Sequence, residues 1–273
     1  MISDTKYQHL IDHNFLISMG LLMSNSVLGE FFDSYNIGIV SSGVPNKFYN
    51  VVFIKKKSSK PERVIQKWEQ FFESRGLPFR VLISPGFEDV YEPLMKEKGY
   101  KEVEAETAMA LSDLSERGGE ETDLVIKRVA TPEELAHFQE TVAEGFSFHS
   151  KVGPFLITER VHALPDADLF IGYADGKPAS TSMLMKTGDV AGIYWVATLN
   201  KYRKRGFGAA MTLRAVLAGR NKGCTLASLP ATKMGRPVCE GIGFVDCYSY
   251  RAYTVSKKLR FFYYLFSCDD GIS

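Results

Sequence analysis

From Leu124 onward the hydrophobic and polar positions switch repeatedly between a period of two and a period of 3.6. "LVIKRVA" has the alternation of a strand. Thr131 then caps a helix with Pro132 at its first position and Glu134 closing a capping box, and the helix runs toward Gly145. "GFSFHSKVGP" reads as a loop, followed by a short helix over about 157–163. "ADLFIGYADGKPASTSMLMKTGDVAGIYWVAT" predicts three strands joined by two hairpins, with Asp175-Gly176 and Gly188-Asp189 as the turns. A helix over 208–221 comes next, with Ala210, Leu213 and Leu217 as its apolar stripe, Phe207 just before it and Gly223 as its stop. The strand "CTLASLPA", a helix opened by Pro237 and the strand "FVDCYSYRAYTV" complete an order β-α-α-β-β-β-α-β-α-β.

The first half is less regular. The apolar run at 15–23 is too short to span a bilayer and lacks a cleavage pattern, so a buried helix is expected there. "NVVFI" is the candidate central strand, and Pro61 opens the helix after it. The polar stretch "SERGGEETD" interrupts the patterning at mid-chain and divides it into 1–118 and 119–273. Across this linker there is an internal echo. "PLMKEKGYKEVEAETAMAL" matches "PVCEGIGFVDCYSYRAYTV" at a constant offset of 144, each reading as a proline-opened helix, a glycine stop and a strand. Duplication of one unit is the expectation.

Composition excludes more than it identifies. Lys+Arg 33 against Asp+Glu 32 leaves a formal charge of +1, so no global field draws a nucleic acid, and any anion site must be local. All four cysteines fall in the last fifty residues without a Cys-x-x-Cys pair, which reads as reduced thiols in a cytoplasm and gives no metal site. "KKKSSK" reads as a solvated loop, and the aromatic tail "KKLRFFYYLFS" as a final strand covering an apolar edge.

One local cluster stands out against this neutral background. "YRKRGFGAAM" sets Arg203, Lys204 and Arg205 beside Gly206 and Gly208. A basic patch, a phosphate cradle and an ordinary turn before a helix all begin this way. Its context is a strand ending "YWVAT" and a helix starting near Gly208. A helix start has unpaired N–H groups and the positive end of the dipole, and glycines let that backbone approach an anion.

Strand-"VAT", Arg203-x-x-Gly206-x-Gly208-Ala209, helix, strand and "PVCEGIGF" together resemble the GNAT (Gcn-related N-acetyltransferase) superfamily over about 130 residues. "SGVPNKFYNVVFI" and "GLPFRVLISP" are similar to the degenerate N-terminal domain of tandem members. The resemblance implies an α/β (α+β) protein with two mixed, mostly antiparallel sheets flanked by helices. It implies acetyl transfer from acetyl-CoA to a small-molecule or peptide amine, without membrane or nucleic-acid partners, by a monomer or homodimer. Val196, Ala197 and Thr198 would bond the pantetheine chain through backbone. Arg203, Lys204, Arg205, Gly206, Phe207, Gly208 and Ala209 would wrap the diphosphate. Without a glycine between "NVVFI" and Gly76, the first half is expected to hold no second CoA and to serve as a wall of the acceptor cleft.

The catalytic residues are harder to read. Cys239 stands where the resemblance expects a tyrosine proton donor, with Tyr248 and Tyr250 on the next strand as fallback donors. Glu144 and His149 are the candidate bases, in a loop expected near the acceptor. The cysteine departure motivates an alternative, a non-catalytic acyl-CoA-binding or regulatory protein.

Overall fold

The computed structural model describes residues 5–115 and 122–255, so most of the "SERGGEETD" linker, the aromatic tail and Cys268 lie outside the described residues. The first half runs α1 (Thr5–Ser24), β1 (Glu30–Asp33), β2 (Ile37–Ser41), β3 (Asn50–Ile54), α2 (Pro61–Arg75), β4 (Arg80–Ile83), α3 (Glu88–Glu97), β5 (Tyr100–Val103) and β6 (Thr107–Leu111). The second runs β7 (Val125–Arg128), α4 (Pro132–Gly145), α5 (Val152–Leu156), α6 (Glu159–His162), β8 (Ala167–Ala174), β9 (Lys177–Thr187), β10 (Val190–Thr198), α7 (Phe207–Asn221), β11 (Leu226–Ala231), α8 (Arg236–Ile242), β12 (Val245–Ser249) and β13 (Arg251–Val255). Local chemistry accounts for many of these boundaries. Both halves of the Thr131–Glu134 capping box are formed. Asp175 and Gly176 take φ of 50° and 72°, the pair of left-handed residues a two-residue hairpin requires.

The strands form two sheets, ordered β1-β2-β3-β4-β13-β5 and β12-β6-β11-β10-β9-β8-β7. All pairings are antiparallel except β3 with β4 and β10 with β11. Each half places its last strand in the other half's sheet. β13 lies between β4 and β5, while β6 lies between β11 and β12. Thr107–Leu111 and Arg251–Val255 are the same segment of the repeat, displaced by 144 residues. The expected single strand "FVDCYSYRAYTV" is therefore two strands in two sheets, broken at Tyr250. Local alternation cannot register this, because the side-chain period stays at two through the crossing. A cut at 118/119 would separate both exchanged strands from their sheets.

Alternation along the strands divides the interior into three cores. Val52, Ile54, Val81 and Ile83 face α2 and α3 on the outside of the first sheet. Phe170, Leu184, Ala191 and Ile193 face α7 and α8 on the outside of the second. Between the sheets lies the third core, where Val51, Phe53 and Leu82 meet Met183, Met185 and Tyr194 with α1 and α4. The apolar run at 15–23 is buried here as expected, with Leu22 and Met23 fully enclosed.

Two helices differ from their sequence reading. The buried face of α7 is Phe207, Met211, Ala215, Ala218 and Gly219, whereas Ala210, Leu213 and Leu217 are only partly covered. Small residues bring this helix close to the sheet: a Cβ at Gly219 would overlap Ala191. In α3, Pro93 sits inside the helix instead of opening it, because Glu88 and Asp89 form the first turn ahead of it. Pro237, its counterpart, is in the first turn of α8 as expected.

Candidate active site

Parallel strands β10 and β11 pair only at Val190↔Leu226, Ala191↔Ala227 and Gly192↔Ser228. Beyond Gly192, β10 continues for six residues with no ladder to β11, so the two strands open into a cleft. A bulge between Tyr194 and Ala197 helps open it, with Trp195 at φ 50°. A non-glycine residue in the left-handed region is strained and needs support. Here Thr181 Oγ1 donates to the Trp195 carbonyl at 2.8 Å, and Ser180 Oγ to the Ala197 carbonyl at 2.6 Å. The bulge also turns two consecutive aromatic side chains, Tyr194 and Trp195, toward the core between the sheets, while Ile193 and Val196 face the opposite core. In the first half the corresponding parallel strands β3 and β4 stay paired from Val51↔Arg80 through Ile54↔Ile83. No cleft opens there.

At the end of β10 the chain makes one 3-10 turn, Asn200–Tyr202, and enters the basic loop. Lys204 and Gly206 both have positive φ, 62° and 75°, so the backbone folds tightly just ahead of the first α7 amides. Gly206 is the helix cap and gives no side-chain acceptor to those amides. They are free for an external anion. At Gly208 an added Cβ would come no nearer than 3.8 Å to Thr198 Oγ1 and 4.0 Å to Val238, which leaves an open approach to the helix start. Arg203 lies across the mouth, its Nε donating to the Thr198 carbonyl at 3.2 Å and an Nη to the Gly145 carbonyl at 3.4 Å. Arg205 turns away, paired with Asp123 and stacked over Phe207. The matching stretch of the first half is occupied by its own contacts: Lys55 binds Asp33, Lys57 binds Asp89, and Pro61 removes an amide from the start of α2.

The fold that carries this site also occurs in solved structures. The chain superposes on a GCN5-related N-acetyltransferase from Kribbella flavida with a TM-score of 0.64 at 17% identity, over 91% of this chain and 95% of that one. The enzyme of the same description from Sphaerobacter thermophilus gives 0.60 at 13%, covering 82% and 81%. A GCN5-related N-acetyltransferase-like protein from Streptococcus suis gives 0.55 at 14%, covering 90% and 98%. This chain has the GNAT fold. No protein-family model matches the sequence, and a sequence search of curated proteins finds no match.

Within this GNAT fold the other candidate residues fall in different surroundings. Cys239 is buried in the core beneath α7, and burial, with Glu240 nearby, pushes its thiol up to about 11. Glu144 is exposed. His149 is also exposed, and its Nδ1 accepts the Lys151 amide at 3.3 Å. Tyr248 and Tyr250 share a face as alternation requires, and both hydroxyls donate to one oxygen of Asp12, at 2.6 and 2.8 Å. Burial and the adjacent carboxylate hold both phenols far above their ordinary range. Burial likewise raises the Asp12 carboxyl, against the stabilising hydroxyls.

Sequence reasoning missed the contribution of α1. Asp12 is the single carboxylate of α1, and no spacing rule marks it. Two residues on, the buried Asn14 accepts the Tyr194 hydroxyl at 2.8 Å and donates to the Met185 carbonyl and to Thr187 Oγ1, so α1 closes one side of the cleft. Ile11, Phe15, Tyr194, Leu229 and Tyr250 pack closely together there, leaving no room for a water molecule. On the other side Trp195 contacts Tyr49 and Phe146, with Phe148 against both, and joins the first sheet to the loop after α4. Among the described residues, no group of three or more His, Cys, Asp or Glu could hold a metal ion. No helix there is long and apolar enough to cross a membrane.

Proposed function

We propose that the protein is an N-acetyltransferase that moves acetyl from acetyl-CoA to an amine. The supporting observation is the parting of β10 from β11 at Gly192 and Ser228, directly followed by the glycine loop at the start of α7. Backbone of Val196, Ala197 and Thr198 lines the opening and would bond the pantetheine chain. The loop from Arg203 to Ala209 would hold the diphosphate, through amides at Gly206, Phe207, Gly208 and Ala209 and charge from Arg203 and Lys204. A backbone amide near Val196 would polarise the thioester carbonyl, as a preorganised donor does for a developing oxyanion. Residues 1–118 and 119–273 would be the two repeat units, each completed by the other's strand. Only the second would bind the donor, and the first would wall the acceptor side through α1 and Tyr49. Free thiols at Cys224, Cys239 and Cys247 fit a cytoplasmic setting.

Burial of Cys239 where a tyrosine donor is expected supports a second reading, a protein that binds acyl-CoA without transferring the acyl group. Release of free thiol from acetyl-CoA, measured with a panel of amines, separates the two. Amine-dependent release supports transfer, and binding without release supports the second reading.

A further inference from the structure

The two hydroxyls that hold the β10 bulge come from adjacent positions of β9, and both side chains are fully buried. Alternation sends them to opposite faces of the sheet. Ser180 lies on the α7 face with Ser182, whose hydroxyl donates to the Met211 carbonyl. Thr181 lies on the face of Met183 and Met185, in the core between the sheets. Thr181 Oγ1 reaches the Trp195 carbonyl at 2.8 Å, and Ser180 Oγ the Ala197 carbonyl at 2.6 Å. β10 is thus gripped at two carbonyls, one from each face.

This grip decides where the backbone amides point. No cis peptide occurs among the described residues, and in a trans peptide the C=O and N–H point in opposite directions. Turning the Trp195 and Ala197 carbonyls back toward β9 turns the Val196 and Thr198 amides away from it, into the opening left by β11. The next amide but none after that, Leu199 N–H, points back to β9 and donates to the Ala179 carbonyl at 3.0 Å. A side chain is ordered as well. Ser180 has one hydroxyl hydrogen, and the Ala197 carbonyl takes it. In the 2.8 Å contact between Ser180 Oγ and Thr198 Oγ1, it is therefore Thr198 that donates. Thr198 Oγ1 is left as an acceptor beside the start of α7, 3.8 Å from where a Cβ of Gly208 would lie.

We infer that Ser180 and Thr181 are positioning residues for the donor. They fix the bulge so that Val196 N–H, Thr198 N–H and Thr198 Oγ1 meet the polar atoms of the pantetheine arm and its thioester. The inference rests on the acetyltransferase reading of this cleft. Both residues are buried, so they act through β10 and not by contact. The glycine loop holds the diphosphate without them, and their loss affects the arm alone. One misplaced hydrogen bond corresponds to about tenfold in affinity.

The test titrates the full chain with acetyl-CoA and with ADP, which has a diphosphate and no pantetheine arm. The wild type should bind acetyl-CoA more tightly than ADP. Ser180→Ala and Thr181→Val should each weaken acetyl-CoA binding about tenfold and leave ADP binding unchanged. Thr181→Ser keeps the hydroxyl and should retain wild-type affinity. Ser180→Ala removes a single oxygen atom and decides the matter if Thr181→Val does not fold. Unchanged acetyl-CoA affinity in the folded variants, an equal loss of ADP affinity, or Thr181→Ser as weak as Thr181→Val would overturn the inference. So would a wild type that binds acetyl-CoA no more tightly than ADP. A wild type that binds neither ligand would overturn the acetyltransferase reading, and the inference with it.

Discussion

The Tyr250 amide donates to the Glu106 carbonyl at 3.3 Å, and these two residues occupy the same place in the repeat. They meet where the two exchanged strands cross between the sheets. Glu106 is pinned there by Arg80, whose guanidinium is nearly fully buried and forks onto both carboxylate oxygens at 2.8 and 3.0 Å. Removing one partner leaves the other charge uncompensated. Arg80→Ala is therefore expected to cost about 3–5 kcal/mol, and Arg80→Met with Glu106→Leu to recover most of it. Denaturant unfolding of the three proteins checks this.

Strand exchange makes the halves interdependent. A chain ending at residue 115 lacks β13 and leaves β4 and β5 with unpaired edges in the middle of a sheet. It should give no cooperative melt alone and should recover one when mixed with a separately produced 119–273 fragment. Circular dichroism of the fragment alone and of the mixture is the measurement.

Cys239 should matter to packing more than to chemistry. Cys239→Ala removes one buried sulfur from the core under α7, with an expected cost of about 1 kcal/mol. Acetyl transfer should survive. With the folded thiol raised to about 11, it stays protonated at neutral pH and should resist alkylation until the protein unfolds. Mass mapping of iodoacetamide adducts, alongside thiol-release assays of the variant, tests both halves of this expectation.

Burial raises Asp12 above its unfolded value, so the folded state binds the extra proton between the two values. The sign follows directly: this group's contribution becomes less favourable as pH rises through the folded value, and the penalty vanishes below the unfolded one. Asp12→Asn should accordingly be more stable than wild type near neutral pH, with the difference shrinking as pH falls toward the ordinary carboxylate range. Paired thermal melts across that range give the answer.

Much of the fold was legible because its determinants are local. The Thr131–Glu134 box, the Asp175-Gly176 and Gly188-Asp189 hairpins and the glycine loop ahead of α7 each depend on a few adjacent residues. The exchange of β6 and β13 depends on pairings more than a hundred residues apart, and the alternation of "TAMAL" and "RAYTV" suits either sheet. The buried face of α7 differs from the expected stripe because it includes small residues packed close to the sheet, such as Ala215 and Gly219, which hydrophobicity underweights. Asp12 was invisible for a different reason. Its significance comes from Tyr248 and Tyr250, more than 230 positions away.

Titration of the full chain with acetyl-CoA tests the central claim most directly. The account predicts one site per chain, and it predicts that Gly208→Val removes that site while the protein stays folded, because the side chain enters open space at the helix start that the diphosphate needs. Gly206→Val should do the same with an added folding cost of about 1–2 kcal/mol, since Gly206 sits at φ 75°. Two sites per chain, or unchanged affinity in folded Gly208→Val, would contradict it.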